Sequence, residues 1–123
     1  MSELPPALRA QLQRFQQLQD QLQAIIIRKQ QWQARLMEIE DAIKELEKAS
    51  DDTPVYKVVG SIMILSKKSE LLNELKERKE IAEASISTLD KQEKLLRKQL
   101  EELQKRINKT LSELRQPKVA KGG

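Results

Sequence analysis

Very few side chains in this sequence have the types and spacing that chemistry requires. The chain contains no histidine and no cysteine, so imidazole catalysis, thiolate chemistry, disulfides and the usual zinc ligand sets are excluded. The adjacent carboxylates Asp51 and Asp52 come nearest to a cation site, but two acids shortly before Pro54 are more typical of cap and turn residues. No residue set supports nucleophilic or general-acid catalysis. We therefore predict no enzyme activity, no metal and no cofactor.

The charge pattern indicates a solvated helical surface. Lysines and arginines number 23 against 19 acids, and the two signs are interleaved along the chain. A nucleic-acid binder would explain the pI of about 9.4, but the basic residues are neither clustered nor interleaved with stacking aromatics. No apolar run approaches the ~18 residues of a membrane span, and no signal peptide is visible. We expect a cytoplasmic protein that binds neither nucleic acid nor membrane.

A heptad pattern organises the first third of the chain. Pro5-Pro6 suits a helix start, because the first helical turn tolerates a missing N–H. Apolar residues then recur at steps of three and four, which predicts a coiled-coil helix over about 6–48 followed by a linker over 49–54. The positions expected to face the partner helix, the seam positions, number twelve, and all but Gln11 and Lys29 are apolar. They are Leu8, Gln11, Phe15, Leu18, Leu22, Ile25, Lys29, Trp32, Leu36, Ile39, Ile43 and Leu46.

The central stretch 55–65 predicts a β-hairpin. Two β-favouring runs flank Gly60-Ser61, and glycine at the first central position suits a type II′ turn. Both predicted faces are apolar: Val55, Val59, Ile62 and Ile64 on one, Tyr56, Val58, Met63 and Leu65 on the other. A lone two-stranded hairpin is marginal in water and has open edges. We therefore expect the hairpin to find its partners on other subunits.

A second heptad run predicts a helix over about 67–115, with Ser66 as its N-cap, and a flexible tail over 116–123 that begins near Pro117. Its seam positions are Leu72, Leu75, Lys79, Ala82, Ile86, Leu89, Glu93, Leu96, Leu100, Leu103, Ile107, Thr110 and Leu114. Two helices of nearly equal length joined by a hairpin are expected to fold back as an antiparallel coiled coil. The two chain termini then meet at the tip.

The alignment of the two helices can be inferred from their residue numbers. In an antiparallel pair, the residue numbers of two facing residues always add up to the same value. A value of 118 gives every seam position a partner, whereas a value of 125 leaves Leu4 without one. In the 118 alignment, Lys29 and Glu93 lie in adjacent layers. We interpret these two residues and Lys79 as register control, with loosening of the seam as the alternative. Trp32 is interpreted as a packed seam residue, with stacking against a bound polypeptide as the alternative.

The chain resembles the β-type subunit of prefoldin, in its archaeal form. The resemblance covers nearly the whole chain and rests on Leu4-Pro5-Pro6 opening a Gln-rich helix, on Asp51-Asp52, on the run Val55-Tyr56-Lys57-Val58-Val59-Gly60 and on Leu72-x-x-Leu75. It implies a mainly α fold, a long antiparallel two-helix coiled coil whose single hairpin joins an intersubunit β-barrel, as one domain over 1–123. The barrel hairpin comprises Val55, Tyr56, Val58, Val59, Gly60, Ile62, Met63, Ile64 and Leu65.

The resemblance also implies a function. Prefoldins are hexamers of two α-type and four β-type subunits, which hold unfolded polypeptides at their coiled-coil tips and deliver them to a group II chaperonin without a nucleotide. We expect fraying tips, since the ends have few neighbours. The predicted client-binding residues are Leu4, Leu8, Leu12, Phe15, Ile107, Leu111, Leu114 and Val119. The alternative is a structural or tethering coiled-coil oligomer without chaperone activity, which gives no reason for the apolar hairpin.

Overall fold

The computed structural model describes residues 4–115 of the chain. Two long helices are connected along the chain by a two-stranded antiparallel hairpin, which confirms the predicted fold class. The elements are α1 (Pro6–Lys48), β1 (Val55–Val59), β2 (Ile62–Ser66) and α2 (Lys68–Arg115). Each begins and ends within one residue of its predicted bounds. The predicted tail over 116–123, which includes Pro117, lies outside the described residues.

The heptad pattern correctly predicts which helix residues are covered. All twelve predicted seam positions of α1 are buried or half-buried. In α2 the same holds for every seam position except Leu114, which is exposed. Apolar residues at steps of three and four lie on one side of a helix, and that side is covered by its neighbour.

The described residues form two compact units. The terminal unit comprises residues 4–27 and 90–115, and the hairpin unit comprises Arg28–Leu89. Each therefore contains one part of α1 and one part of α2, and the hairpin unit also contains both strands. The prediction of one domain over 1–123 stays a prediction.

The core of the terminal unit is made of leucine and isoleucine from both helices. Leu8 and Leu18 of α1 are buried in one cluster with Leu103 and Ile107 of α2. Leu8 is the largest side chain that is fully buried, with 1% of its surface exposed. The half-buried residues packed against this cluster are Phe15, Leu96, Leu100 and Leu111. Burial of an aliphatic side chain of this size stabilises the folded state by about 1.5–3 kcal/mol.

In the hairpin unit, two polar contacts define how the helices are aligned. Lys79 Nζ lies 3.6 Å from Glu40 Oε2, and Lys68 Nζ donates a hydrogen bond of 2.7 Å to the carbonyl oxygen of Ala49. From one contact to the other, the residue number rises on one side and falls on the other, so the chain segments are antiparallel here. The two residue numbers add up to 119 in one pair and 117 in the other. Both values differ by one from 118 and by more from 125, so the 118 alignment describes this unit.

The ends of the helices follow local rules with one exception. Pro6 occupies the first helical position of α1, where its missing N–H leaves no hydrogen bond unmade. The prediction that Ser66 caps α2 is wrong. Ser66 is the last residue of β2 and pairs with Val55, so its backbone remains extended. The first helical bond of α2 runs from Leu71 N to Lys67 O, at 2.9 Å.

Candidate functional site

The hairpin has the turn and pairing that its sequence predicts. Val59 pairs with Ile62, which leaves Gly60-Ser61 as a two-residue loop. Gly60 has a φ of 60°, and no other residue in the described part of the chain has a positive φ. A type II′ turn needs positive φ at its first central residue alone, whereas type I′ needs it at both. The glycine thus sets both the turn type and the register of the two strands.

The register divides the hairpin into the two predicted faces. Tyr56 pairs with Leu65 and Val58 with Met63, and these four residues form the free face. The other face, which we call the anchored face, consists of Val55, Lys57, Val59, Ile62, Ile64 and Ser66. Every residue of the free face is exposed, whereas Val55, Lys57 and Ser66 of the anchored face are half-buried. The two faces therefore differ in what the chain itself covers.

Exposed apolar side chains are concentrated in the hairpin. Of the fourteen large apolar residues that are exposed within residues 4–115, seven lie between Tyr56 and Leu65, with 45–68% of their surface accessible. Within the described residues the sheet has two strands, so each strand also has one unpaired edge. A contiguous apolar patch of this kind is typical of a protein–protein interface, and open strand edges invite pairing with another chain.

An ion pair fastens the anchored face to α2. Lys57 Nζ donates a hydrogen bond to Glu74 Oε1, and about a third of each side chain is exposed. The hydrogen bond from Lys57 is the main reason that the pKa of Glu74 lies below its ordinary value of 4.5. Partial desolvation opposes this effect, and the positive charges of Lys57 and Arg78 reinforce it. Lys57 is the charged member of an otherwise apolar strand, and α2 provides its counter-ion.

A second lysine joins α2 to the linker beside the hairpin. Besides its bond to the Ala49 carbonyl, Lys68 Nζ lies 3.4 Å from Asp51 Oδ1. Its side chain is mostly buried, whereas that of Asp51 is almost fully exposed. The linker also contains a turn in which Thr53 N donates to the Ser50 carbonyl at 3.1 Å. Asp51 thus contributes to the linker between helix and strand. No group of residues in the described ranges has the make-up of a metal site.

The predicted client-binding residues fall into two groups. Leu4, Leu12 and Leu114 are exposed, and the structure places them near the start of α1 and the end of α2. Leu8 and Ile107 are buried in the core cluster, and Phe15 and Leu111 pack against it. Val119 lies outside the described residues. The role of all eight in client binding stays a prediction.

The terminal layer that contains Leu8 is packed in this structure, and the fraying of the helix ends stays a prediction. Within the described residues, Leu8 is the most completely buried large side chain. Leu111, an apolar residue next to the predicted seam position Thr110, packs against the same cluster. One weak point is present, because Gln11 Oε1 is buried and has no hydrogen-bond partner among the described residues. An unsatisfied buried polar atom costs about 1–3 kcal/mol.

The other singled-out seam residues have local partners. Glu93 Oε2 accepts a hydrogen bond of 2.9 Å from Arg97 Nε, one turn further along α2. Trp32 is half-buried, and the guanidinium carbon of Arg35 lies 4.9 Å from its ring centroid, as in a cation–π contact. The proximity of Lys29 to Glu93 and a client-stacking role for Trp32 stay predictions.

Sequence reasoning missed the residues that orient the hairpin. Lys57 and Glu74 are seventeen residues apart and form an ion pair. Lys68 contacts Ala49, the first residue of the linker. The available signal was the single charge inside an apolar strand, since a partly covered lysine needs a counter-ion. Its partner could not be deduced, because several acids of α2 were available. Neither of the two described helices is apolar enough to cross a membrane.

Comparisons with known proteins agree with one another. A family model described as "Prefoldin subunit" matches residues 9–113. A prefoldin subunit beta of Pyrobaculum arsenaticum is 45% identical over all of this chain and 99% of its own length. The corresponding Archaeoglobus fulgidus protein is 45% identical over 91% of this chain and 97% of its own length.

A solved structure agrees as well. The crystal structure of the prefoldin beta subunit from Thermococcus strain KS-1 is similar with a TM-score of 0.81 and 38% identity. The similarity covers 95% of this chain and 100% of that chain. Sequence, fold and hairpin geometry therefore lead to the same assignment. The chain belongs to the prefoldin family and is a beta-type subunit within it.

Proposed function

We propose that this chain is a subunit of an ATP-independent holdase chaperone in the cytoplasm. It captures unfolded polypeptides at the ends of its helices and delivers them to a group II chaperonin. It assembles through its hairpin with α-type partners, in a hexamer of two α-type and four β-type subunits. Membership of the prefoldin family supports the chaperone role. The observation that carries the proposal is the exposure of apolar side chains at the hairpin and near the helix ends.

The hairpin is proposed as the assembly site because its free face has no cover within residues 4–115. Tyr56, Val58, Met63 and Leu65 are all more than half exposed, which is unfavourable for apolar groups in water. Neighbouring hairpins can pair at the open edges of β1 and β2 and close a barrel, which removes edges altogether. The anchored face is already held by α2 through Lys57 and Glu74. We therefore expect the free face to line the interior of the barrel.

The helix ends are proposed as the client site because exposed leucines occur there. Leu4, Leu12 and Leu114 are 40–53% exposed. Each contributes about 1.5–3 kcal/mol when a client fully buries it, and less when the burial is partial. One subunit therefore binds weakly. Several subunits on one platform raise the effective concentration of their ends, and the client is held by avidity.

The test replaces the three exposed leucines with serine. We expect the triple variant Leu4→Ser, Leu12→Ser, Leu114→Ser to keep the parent oligomer mass and helical circular dichroism. Its suppression of the aggregation of a denatured test protein should fall several-fold. The control is Met37→Ser, Ile81→Ser, Leu95→Ser, which removes apolar residues that are even more exposed, at 57–65%, from other parts of the helices and should leave suppression unchanged.

Two outcomes contradict the proposal in different ways. If both triple variants suppress aggregation as well as the parent does, clients are held elsewhere on the chain. If the parent oligomer itself suppresses no aggregation, the chain is a structural coiled-coil oligomer. Delivery is measured separately, as the yield of refolded client after a group II chaperonin and ATP are added to the loaded complex. Without transfer, the holdase role stands and the delivery step is wrong.

A further inference from the structure

A small cleft with two arginines lies in the terminal unit, apart from the exposed leucines. It has a volume of about 210 Å³ and is lined by Arg14, Leu18, Gln99, Glu102, Leu103 and Arg106. Leu18 and Leu103 belong to the buried core cluster, so they form an apolar floor. The two arginines come from different helices and are both exposed. The cleft thus combines an apolar base with two guanidinium groups.

The two guanidinium groups have no carboxylate partner within residues 4–115. Arg14 Nη1 donates a long hydrogen bond of 3.4 Å to Gln17 Oε1, a neutral group. Elsewhere on the terminal part of α2, acids pair with bases four residues later: Asp90 with Lys94, Glu93 with Arg97 and Glu101 with Lys105. Glu102 and Arg106 have the same spacing but lie beyond ion-pair distance. With two arginines and one glutamate, the cleft remains net positive.

This arrangement suits a carboxylate that sits next to an apolar group. A guanidinium binds a carboxylate through two parallel hydrogen bonds, and it is weakly hydrated, so it gives up its water readily. The leucine floor is nearly covered, with 3% of Leu18 and 7% of Leu103 exposed, and the aliphatic stems of the two arginines provide the remaining apolar surface beside these donors. A volume of about 210 Å³ accommodates one or two side chains. An acidic residue beside a hydrophobic residue in an extended polypeptide satisfies all three features.

We propose that this cleft is a subsite for unfolded polypeptide that binds an acidic side chain adjacent to a hydrophobic one. The inference rests on the proposed holdase function and adds a preference to it. Capture by leucines alone would select for exposed apolar chain. With Arg14 and Arg106 in the same terminal unit, the chain discriminates between clients of equal hydrophobicity by their negative charge.

The test compares two labelled, unstructured peptides of equal length and hydrophobic content. One contains glutamates beside its leucines, and the other has glutamine at those positions. Binding to the assembled oligomer is measured by fluorescence anisotropy for the parent and for Arg14→Gln, Arg106→Gln. The matched control Lys91→Gln, Lys98→Gln removes the same charge from exposed positions on the outer side of α2.

We expect the parent to bind the glutamate peptide about five-fold more tightly, as for two partly exposed ion pairs. The arginine variant should lose this preference and bind the glutamine peptide as the parent does. The lysine variant should keep the preference, and added salt should reduce it. Circular dichroism and oligomer mass should be unchanged in both variants.

Three results overturn the inference. If the arginine substitutions weaken the binding of both peptides equally, or of neither peptide, the cleft does not distinguish peptides by charge, although the holdase function stands. If a single-stranded oligonucleotide binds the parent as tightly as the glutamate peptide and loses binding in the arginine variant, the cleft is a general polyanion site. If the parent binds neither peptide, the holdase proposal fails together with the inference.

Discussion

The same kinds of side chain have opposite surroundings in the two units. In the terminal unit, Leu8, Leu18, Leu103 and Ile107 are buried in a core that both helices form. In the hairpin unit, the valine, isoleucine, methionine and leucine residues from Val58 to Leu65 are about half to two-thirds exposed. Hydrophobicity alone therefore does not decide burial in this chain. The deciding factor is whether a second element of the same chain faces the apolar side.

Periodicity explains this difference. A helix with apolar residues at steps of three and four has one apolar side, and one neighbouring helix is enough to cover it. A strand alternates its side chains between two faces, and here both faces are apolar. Among the residues that the structure describes, α2 lies beside one face, at Lys57 and Glu74, and no element covers the other face. The terminal core thus serves folding of the chain, whereas we infer that the hairpin serves assembly.

The largest expected effect comes from a charge on the free face of the hairpin. Val58→Asp should place a carboxylate in the barrel interior, at a cost of several kcal/mol when it is buried without a partner. We expect the oligomer to dissociate into subunits that remain helical. Sedimentation velocity gives the mass, and circular dichroism gives the helix content.

The control for this variant is an equally exposed helix residue. Met37 is 65% exposed against 68% for Val58, so Met37→Asp makes the same change of charge on a surface without an assembly role. Its oligomer mass should equal that of the parent. A full-size oligomer of Val58→Asp would show that the free face stays in contact with water after assembly.

A second prediction concerns the terminal core. Leu8→Ala should lower the free energy of unfolding by about 2–5 kcal/mol, because it leaves a cavity in a packed cluster. Leu4→Ala, four residues earlier and 47% exposed, should change it by about 0.5 kcal/mol or less. Chemical denaturation at one fixed protein concentration measures both. Equal effects would mean that the terminal layer is open in solution, as the expectation of fraying required.

Much of this fold could be predicted because its rules are local. The heptad positions predicted the covered residues of both helices, and Gly60-Ser61 predicted the turn and therefore the strand register. The 118 alignment required only that every seam residue has a partner. Each of these inferences uses a period or a turn that can be read from neighbouring residues.

The remaining features depend on contacts between distant residues. The pairing of Lys57 with Glu74 and of Lys68 with the Ala49 carbonyl depends on how the strands leave the helices, which no periodicity defines. The packing of Leu111 against the cluster that contains Leu8 was missed, because Leu111 lies outside the heptad seam. The cleft between Arg14 and Arg106 was missed for the same reason, since flanking positions come together only after the helices are aligned.

A smaller effect should appear in the pH dependence of the anchored face. The pKa of Glu74 is lowered by its hydrogen bond to Lys57, so the pair stabilises the folded state above the ordinary pKa of 4.5. The stabilisation is lost as the pH falls through the lowered pKa. Glu74→Gln should therefore unfold at a lower temperature than the parent at pH 7, and the difference should shrink below pH 4.5. Glu101→Gln, which breaks an exposed pair on α2, is the control and should show a smaller difference at pH 7.

The smallest expected effect tests the helix alignment in the hairpin unit. Lys79 lies 3.6 Å from Glu40, and both side chains are more than a third exposed. Reversing either charge should be destabilising, and exchanging them as Lys79→Glu with Glu40→Lys should restore part of the loss. The coupling free energy expected for such a pair is about 0.2–1 kcal/mol. Urea denaturation of the parent, both single variants and the double variant measures it.

Glu47 provides a control that separates the two alignments. It follows Leu46 as Glu40 follows Ile39, so the two glutamates occupy the same heptad position one repeat apart. The 118 alignment brings Lys79 to Glu40, whereas the 125 alignment brings it to Glu47. The exchange of Lys79 with Glu47 should therefore show no coupling. If that exchange restores stability and the exchange with Glu40 does not, the helices in solution are shifted by one heptad. Such a shift would also change the start of α2 relative to the end of α1, so the bond from Lys68 to the Ala49 carbonyl and the position of the hairpin would have to change with it.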